Sequence, residues 1–210
     1  MSDVSYRRNL PHIHLDGCPL FITFRLADTL PANIISDLKA QREQQTQASM
    51  DAQSEIKEQN FIHYDEWLDK CTSGPRWPEN EEVVLTVNKK ILEMSNNRYR
   101  LFAYCIMSNH VHLLIENLVR ETAVHQGKSS NYPITETLRL LKGSTARYCN
   151  QILGRSGQFW HHESYDHIVR SEKELEKTIR YIINNPVKAG LVQNWKDWKY
   201  SYVNPELGEW

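Results

Sequence analysis

The sequence has no C-x-x-C pair. Its four cysteines, Cys18, Cys71, Cys105 and Cys149, are far apart, which argues against a zinc knuckle or disulfide framework and fits a reducing cytosol. It lacks an apolar run near the length of a membrane span, and its mean hydropathy is −0.61, so no membrane association is expected. The opening Met1-Ser2-Asp3, followed by Arg7 and Arg8, has neither an apolar core nor a small-residue cleavage site, so no secretory signal is expected. It also lacks a strong charge of either sign: the net charge is −1, too little for gross nucleic-acid affinity. What remains is an ordinary globular composition, 40% hydrophobic and 24% charged over 210 residues. That suits one domain, or one domain with an insertion.

The near-zero sum hides segregation. Ser36 to Glu93 holds twelve Asp/Glu against seven Lys/Arg, a net −5. Leu138 to Arg170 holds Arg139, Lys142, Arg147, Arg155 and Arg170 against Glu163 and Asp166, a net +3. Local fields matter more than totals for phosphate binding, although a solvated helix face explains either stretch taken alone.

Leu20 to Leu26, LFITFRL, reads as a strand between turn residues. Pro31 to about Asn60 reads as a long polar helix that continues brokenly to Leu68. Thr72 to Pro78 is a loop, and Glu79 to Glu93 is an amphipathic helix with Val83, Val84, Val87, Ile91 and Leu92 on one side. Tyr99 to Met107 and Val111 to Glu116 read as strands, or as one strand interrupted at Ser108-Asn109. Leu118 to Tyr132 is polar and irregular. Ile134 to Leu153 is a helix with Leu138, Leu141, Ala146, Tyr148 and Ile152 as inner residues. Phe159 to Val169 is a short strand with a turn. Ser171 caps a last helix that Pro186 stops at about Asn184. This order predicts an α+β fold, an antiparallel sheet with helices on its faces. The expected organisation is a single domain over residues 1–210 with a helical insertion at about 31–95.

Three features carry chemistry. In His110-Val111-His112 the two imidazoles share one side of a strand and can share a divalent metal; two histidines lining an exposed sheet face is the plainer alternative. Tyr181 and Asn185 are four apart near the end of a helix, so a phenol and an amide oxygen share a face; taken alone, a core tyrosine and a helix stop is the plainer reading. Asn184 lies about 100° round the helix. Gly157-Gln-Phe-Trp160-His161-His162-Glu163 mixes aromatics with histidines beside the basic stretch, where Trp160 or Tyr165 can meet bases and His161 can hydrogen-bond DNA.

Together these pieces resemble the REP-associated tyrosine transposases, part of the single-tyrosine HUH transposase group (insertion sequence 200-like). The resemblance rests on Leu20–Leu26 with Ala27-Asp28, Met107-Ser-Asn-His-Val-His112, Leu141-Lys-Gly-Ser-Thr-Ala-Arg147, Gly157-Gln-Phe-Trp160 and Tyr181–Val192, and spans roughly Arg7 to Tyr202. It implies the ferredoxin-like sheet of HUH nucleases, with His110 and His112 as metal ligands, Asn185 as the third ligand and Tyr181 as nucleophile. It implies Mg or Mn as cofactor, and a 5′-phosphotyrosine intermediate in cutting and rejoining single-stranded DNA beside REP-type hairpins. The cytoplasmic nucleoid is the implied location, and the chain is a homodimer or a monomer. Arg139, Lys142, Arg147, Arg155 and Arg170 are then expected on phosphates. Lys188 lies either on the cleaved phosphate or on plain surface. Ser108 stands where the family commonly has proline. Two other readings remain at this point: a hairpin-binding relative that does not cut, and a zinc hydrolase using His110, His112 and His161 or His167.

Overall fold

The computed structural model describes residues 4–7, 11–14, 17–31, 33–37, 40, 64–70, 74–118 and 133–210. Strands β1 (Val4–Arg7) and β2 (Pro11–His14) pair as a two-stranded antiparallel ribbon. The main sheet contains β3 (Leu20–Leu26), β4 (Tyr99–Ile106), β5 (His110–Asn117), β6 (Trp160–Ile168) and β7 (Ser201–Val203). Helical segments α1 (33–37) and α2 (64–70) follow β3. Then come α3 (Glu81–Met94), α4 (Pro133–Ile152) and α5 (Glu172–Lys188).

The sheet order is β6-β3-β5-β4-β7, with every pairing antiparallel. The run β3-α3-β4-β5-α4-β6 is therefore a βαββαβ motif whose strands lie in the order fourth, first, third, second. That is the ferredoxin-like topology expected from the sequence, with β7 added outside β4. Helix α3 is the first crossover of this motif, so it belongs to the sheet's own architecture and not to the inserted polar segment.

All seven residues of β3 are buried because both its faces are covered. Ile22 and Phe24, with Val111, Leu113 and Ile115 of β5, meet Val83, Val84, Val87 and Ile91 of α3 and Leu141 and Cys149 of α4. The other face carries Phe21, Ala103, Cys105 and Leu114 and packs on Ile179 and Ile182 of α5. Each such aliphatic side chain stabilises the fold by about 1.5–3 kcal/mol. Asn80 caps α3 by accepting the amides of Glu82 (3.0 Å) and Val83 (3.3 Å). Ser171 caps α5 as expected, accepting the Glu174 amide.

Several expectations change. Tyr148 is not an inner residue of α4; it is 56% exposed. The inward row is Leu141, Thr145 and Cys149 at four-residue spacing, and Tyr148 lies about 100° off it. Strand β6 runs unbroken for nine residues, with a register shift opposite Phe24–Leu26 in place of a turn. Pro186 does not stop α5, which continues to Lys188. The proline removes one donor, but the last turn keeps Ala189 N–H on Asn185 O (2.9 Å) and Leu191 N–H on Pro186 O (2.9 Å). Burial of Ile182, Ile183, Asn185 and Pro186 holds that turn to the sheet. Most of the long polar helix expected from Pro31 to Asn60, and the irregular stretch from residue 119 to Tyr132, lie outside the described residues. Among the described residues no helix is long and apolar enough to cross a membrane.

Gly74 fastens the chain after α2 to the end of β3. Its φ is +88°, and a Cβ there would stand 2.5 Å from Asp28 O and 2.8 Å from Thr29 Cα. Gly74→Ala is expected to lower the melting temperature, by about 1–3 kcal/mol of stability. Gly143→Ala, inside α4 with nothing within 4 Å of the new Cβ, is expected to raise it by about 0.5–1 kcal/mol. Thermal unfolding of the two variants checks both signs.

Candidate metal centre and tyrosine helix

His110 and His112 leave β5 on the face covered by α5 and α2, and both are buried. Their Nε2 atoms face each other at 3.0 Å. His110 Nδ1 lies 2.6 Å from Asn109 Oδ1, and Asn109 is oriented by its own Nδ2–H donating to Leu68 O at 3.0 Å. The amide oxygen is thus turned to His110, so Nδ1 carries the proton and Nε2 presents a lone pair. His112 Nδ1 meets Thr23 Oγ1 of β3 at 2.8 Å, and Phe21 stacks on the His112 ring at 5.6 Å. Burial holds both rings neutral: His110 is pushed down to about 3 and His112 falls well below the ordinary range, with the Lys188 charge acting the same way on both.

Helix α2 supplies two carboxylates at i and i+4. Asp65 Oδ1 is 3.4 Å from His112 Nε2, and Asp69 Oδ1 is 4.0 Å from His110 Nε2. Asp65 Oδ2 accepts hydrogen bonds from the Tyr181 hydroxyl and from Asn185 Nδ2, the latter at 3.3 Å. Lys188 Nζ pairs with Asp69 Oδ2 at 3.2 Å. Burial raises both carboxyls above the usual range, and the neighbouring Asp69 raises Asp65 further while Lys188 opposes the rise.

The donor set fits a divalent cation. Asp65, His110 and His112 each offer a ligand atom, and these atoms lie within 4.8 Å of one another. Asp65 Oδ1 and Asn185 Oδ1 are buried without a hydrogen-bond partner. Buried acceptors are costly when left unpaired, and a cation held by Asp65 and the two imidazoles would satisfy the Asp65 oxygen.

The structure thus brings together five of the residues singled out in the sequence: His110, His112, Tyr181, Asn185 and Lys188. Asn184 turns away and bonds Arg180 O at 2.9 Å. The zinc trio is not assembled. His167 pairs with Glu174 at 2.5 Å, and the metal-competent group among the described residues is completed by Asp65, not by His161 or His167.

The expected DNA contacts fare unevenly. Trp160 is 4% exposed, packs edge-on against Phe24 and Phe159, and donates Nε1–H to Thr145; a ring closed in this way is core, not a platform for a base. Lys142 donates to His161 O (2.7 Å), His162 O (3.0 Å) and Ser164 Oγ (3.1 Å), three bonds that tie it to β6. Arg155 stacks on Trp77 at 3.8 Å and bonds Asn150, which makes it a loop brace. Arg139 is exposed and paired with Glu136. Arg147 and Arg170 are exposed. Tyr165 is half-buried opposite Thr23, on the face of the histidines.

Sequence reasoning missed Asp65, Asp69, Thr23 and Asn109. The signal for the first two was present as D-x-x-x-D in the acidic segment, but it was absorbed into a net charge.

Comparison with known proteins assigns the chain to a family. The family model described as IS200-like transposase matches residues 79–185, just over half of the chain, and the chain belongs to that family. The matched stretch contains His110, His112, Tyr181 and Asn185; Asp65 lies outside it. A Haemophilus influenzae protein provisionally described as a REP-associated tyrosine transposase is 31% identical over 110 residues. That match covers 52% of this chain and 61% of the relative, so the chain spans less than two thirds of that protein's length. A solved structure of a REP-associated tyrosine transposase bound to a REP hairpin aligns with 96% of this chain and 82% of its own, at 17% identity and TM-score 0.47. A solved structure from Deinococcus radiodurans, provisionally described as a transposase, aligns with 87% of this chain and 98% of its own, at 14% identity and TM-score 0.30.

A cation must displace any proton on Asp65, so its affinity rises with pH. Added Mn²⁺ at about a hundredfold over its Kd is expected to stabilise the protein by about 2.7 kcal/mol, a rise of roughly 5–10 °C, and more at pH 8 than at pH 5.5. Because burial raises the Asp65 carboxyl, its contribution is complete at acid pH and is lost as pH climbs through the raised value. Asp65→Asn is therefore expected to melt higher than wild type at pH 8 without metal, yet to show a smaller Mn²⁺ shift. An undiminished shift in that variant removes Asp65 from the ligand set.

Proposed function

We propose that this protein cuts and rejoins single-stranded DNA beside hairpin sequences of the REP type, with Tyr181 as nucleophile. The observation that carries the reading is the Tyr181 hydroxyl on Asp65, whose other oxygen faces the paired imidazoles. A core tyrosine has no need of a buried carboxylate shared with a metal-competent histidine pair. In this reading His110, His112, Asn185 and Asp65 hold Mg or Mn, which as a Lewis acid polarises the scissile phosphate.

The chain's own groups do the rest. Tyr181 Oη forms a bond to phosphorus, the bond from phosphorus to the 3′ oxygen breaks, and the products are a 5′-phosphotyrosine and a free 3′-hydroxyl. The phenolic proton passes to Asp65 Oδ2, the atom that already accepts it in a hydrogen bond, and the departing 3′ oxygen takes a proton from solvent water. Asn185 Nδ2, on the same oxygen, orients that carboxylate. Lys188, tied to Asp69 at the margin of the centre and 6.0 Å from the Tyr181 ring, contributes positive charge where the phosphate must lie. Attack by another 3′-hydroxyl reverses the step and joins new strands, because the phosphotyrosine preserves the phosphodiester's energy.

The test is incubation with 5′- and 3′-labelled single-stranded hairpin DNA from the organism's own chromosome, with Mn²⁺, followed by a denaturing gel. Wild type is expected to form a metal-dependent covalent adduct, and Tyr181→Phe to form none while still binding the DNA. Adducts that persist in Tyr181→Phe overturn the nucleophile assignment. Cleavage without any adduct points to hydrolysis, and a gel shift without cleavage points to a binding protein.

A further inference from the structure

Arg25 is a cation buried without an anion. It is 3% exposed, yet its guanidinium makes only neutral contacts, Nη1–H donating to Leu26 O at 3.1 Å and to Thr29 Oγ1 at 3.0 Å. No described carboxylate pairs with it. Among the described residues its Nε and Nη2 protons have no acceptor, and those atoms are absent from the fully enclosed unpartnered groups, so they keep an opening to the outside. A guanidinium is rarely held in a protein interior unless a carboxylate or a ligand anion completes it. The position is specific too: Arg25 on β3 is the register partner of His110 on β5, so both side chains leave the same face of the sheet.

The neighbouring strand supplies a second donor. Phe24 pairs with Ser164 and Leu26 with Trp160, so Arg25 stands opposite the bulged stretch 161–163 of β6. The three bonds from Lys142 to His161 O, His162 O and Ser164 Oγ clamp that bulge. His161 Nδ1 accepts the Glu163 amide at 3.2 Å, which leaves the proton of the neutral ring on Nε2. After burial, the Arg25 charge is the largest influence holding His161 down to about 4.

We propose that Arg25 and His161 form a phosphate subsite beside the paired histidines, gripping a backbone phosphate of the single strand adjacent to the one Tyr181 attacks. This rests on the strand-cutting reading above. The chemistry favours phosphate over a base edge, because a fixed guanidinium fork and an imidazole N–H donate only. It also shows how a chain of net charge −1 holds a polyanion: a local buried charge does what a broad basic surface does elsewhere. The subsite fixes the strand's position and carries no sequence information of its own.

The experiment is a binding scan by fluorescence anisotropy. The probe is a labelled oligonucleotide carrying a chromosomal REP-type palindrome and its single-stranded flank. Its flank phosphates are replaced one at a time by uncharged methylphosphonate. Wild type is expected to lose about tenfold in affinity at one flank position. Arg25→Gln is expected to lose about tenfold on unmodified DNA, to be indifferent to methylphosphonate at that same position, and to show a salt slope reduced by about one. Because Arg25 is buried, Arg25→Lys and His161→Gln accompany it: both keep the fold, and both are expected to blunt the same position and no other. Variants whose scan matches wild type overturn the subsite and leave the strand-cutting reading intact. Wild type that binds no hairpin DNA and forms no adduct overturns both.

Discussion

Two imidazole Nε2 atoms face one another at 3.0 Å in the middle of the protein, and much of the structure exists to keep them there. Asn109 and Thr23 fix the rings from the far side, Phe21 covers one of them, and α2 and α5 bring oxygen atoms to the other two sides. Without a cation this is an assembly of desolvated acceptors and raised carboxyls, the kind of local conflict that folded chains tolerate at functional sites and offset through the rest of the core. The ferredoxin-like sheet supplies that offset: two hydrophobic layers pin β3 and β5, the strands that carry Thr23, Arg25, His110 and His112.

The division of labour around Asp65 explains why the site needs a segment that the family match does not include. Residues 79–185 contain the histidines, the tyrosine and the asparagine, but the oxygen that receives the Tyr181 hydrogen bond comes from α2. The acidic balance of that region is therefore not uniform decoration. Asp65 and Asp69 point into the centre, one toward each histidine, while Lys188 returns from the end of α5 to neutralise the outer of the two.

The scaffold was largely legible in the sequence. LFITFRL marks β3 to the residue, and Val83, Val87 and Ile91 give the inner face of α3 by their spacing. His110 and His112 could be paired because a strand repeats every two residues, and Tyr181 with Asn185 because a helix brings i and i+4 together. Asp65 could not be found that way: it meets Tyr181 across 116 positions of sequence, and no local period encodes such a contact. Trp160 and Lys142 misled for the same reason. An aromatic ring or an ammonium beside a basic stretch looks like a nucleic-acid contact until the strand packed behind it is known. Pro186 misled differently, since a proline's local preference was overridden by tertiary burial of the turn that contains it.

The distance in sequence between the site's parts has a consequence for the chain as it is made. Synthesis runs from the N-terminus, so Asp65 and both histidines leave the ribosome long before Tyr181 and Asn185, which are 116 and 120 positions beyond Asp65. Closing loops of that length is a late event in folding. A growing or truncated chain that has not reached α5 holds an open carboxylate and two imidazoles but neither Tyr181 nor Asn185. The arrangement of carboxylate, imidazoles, phenol and amide is thus incomplete until α5 has been built and packed against α2.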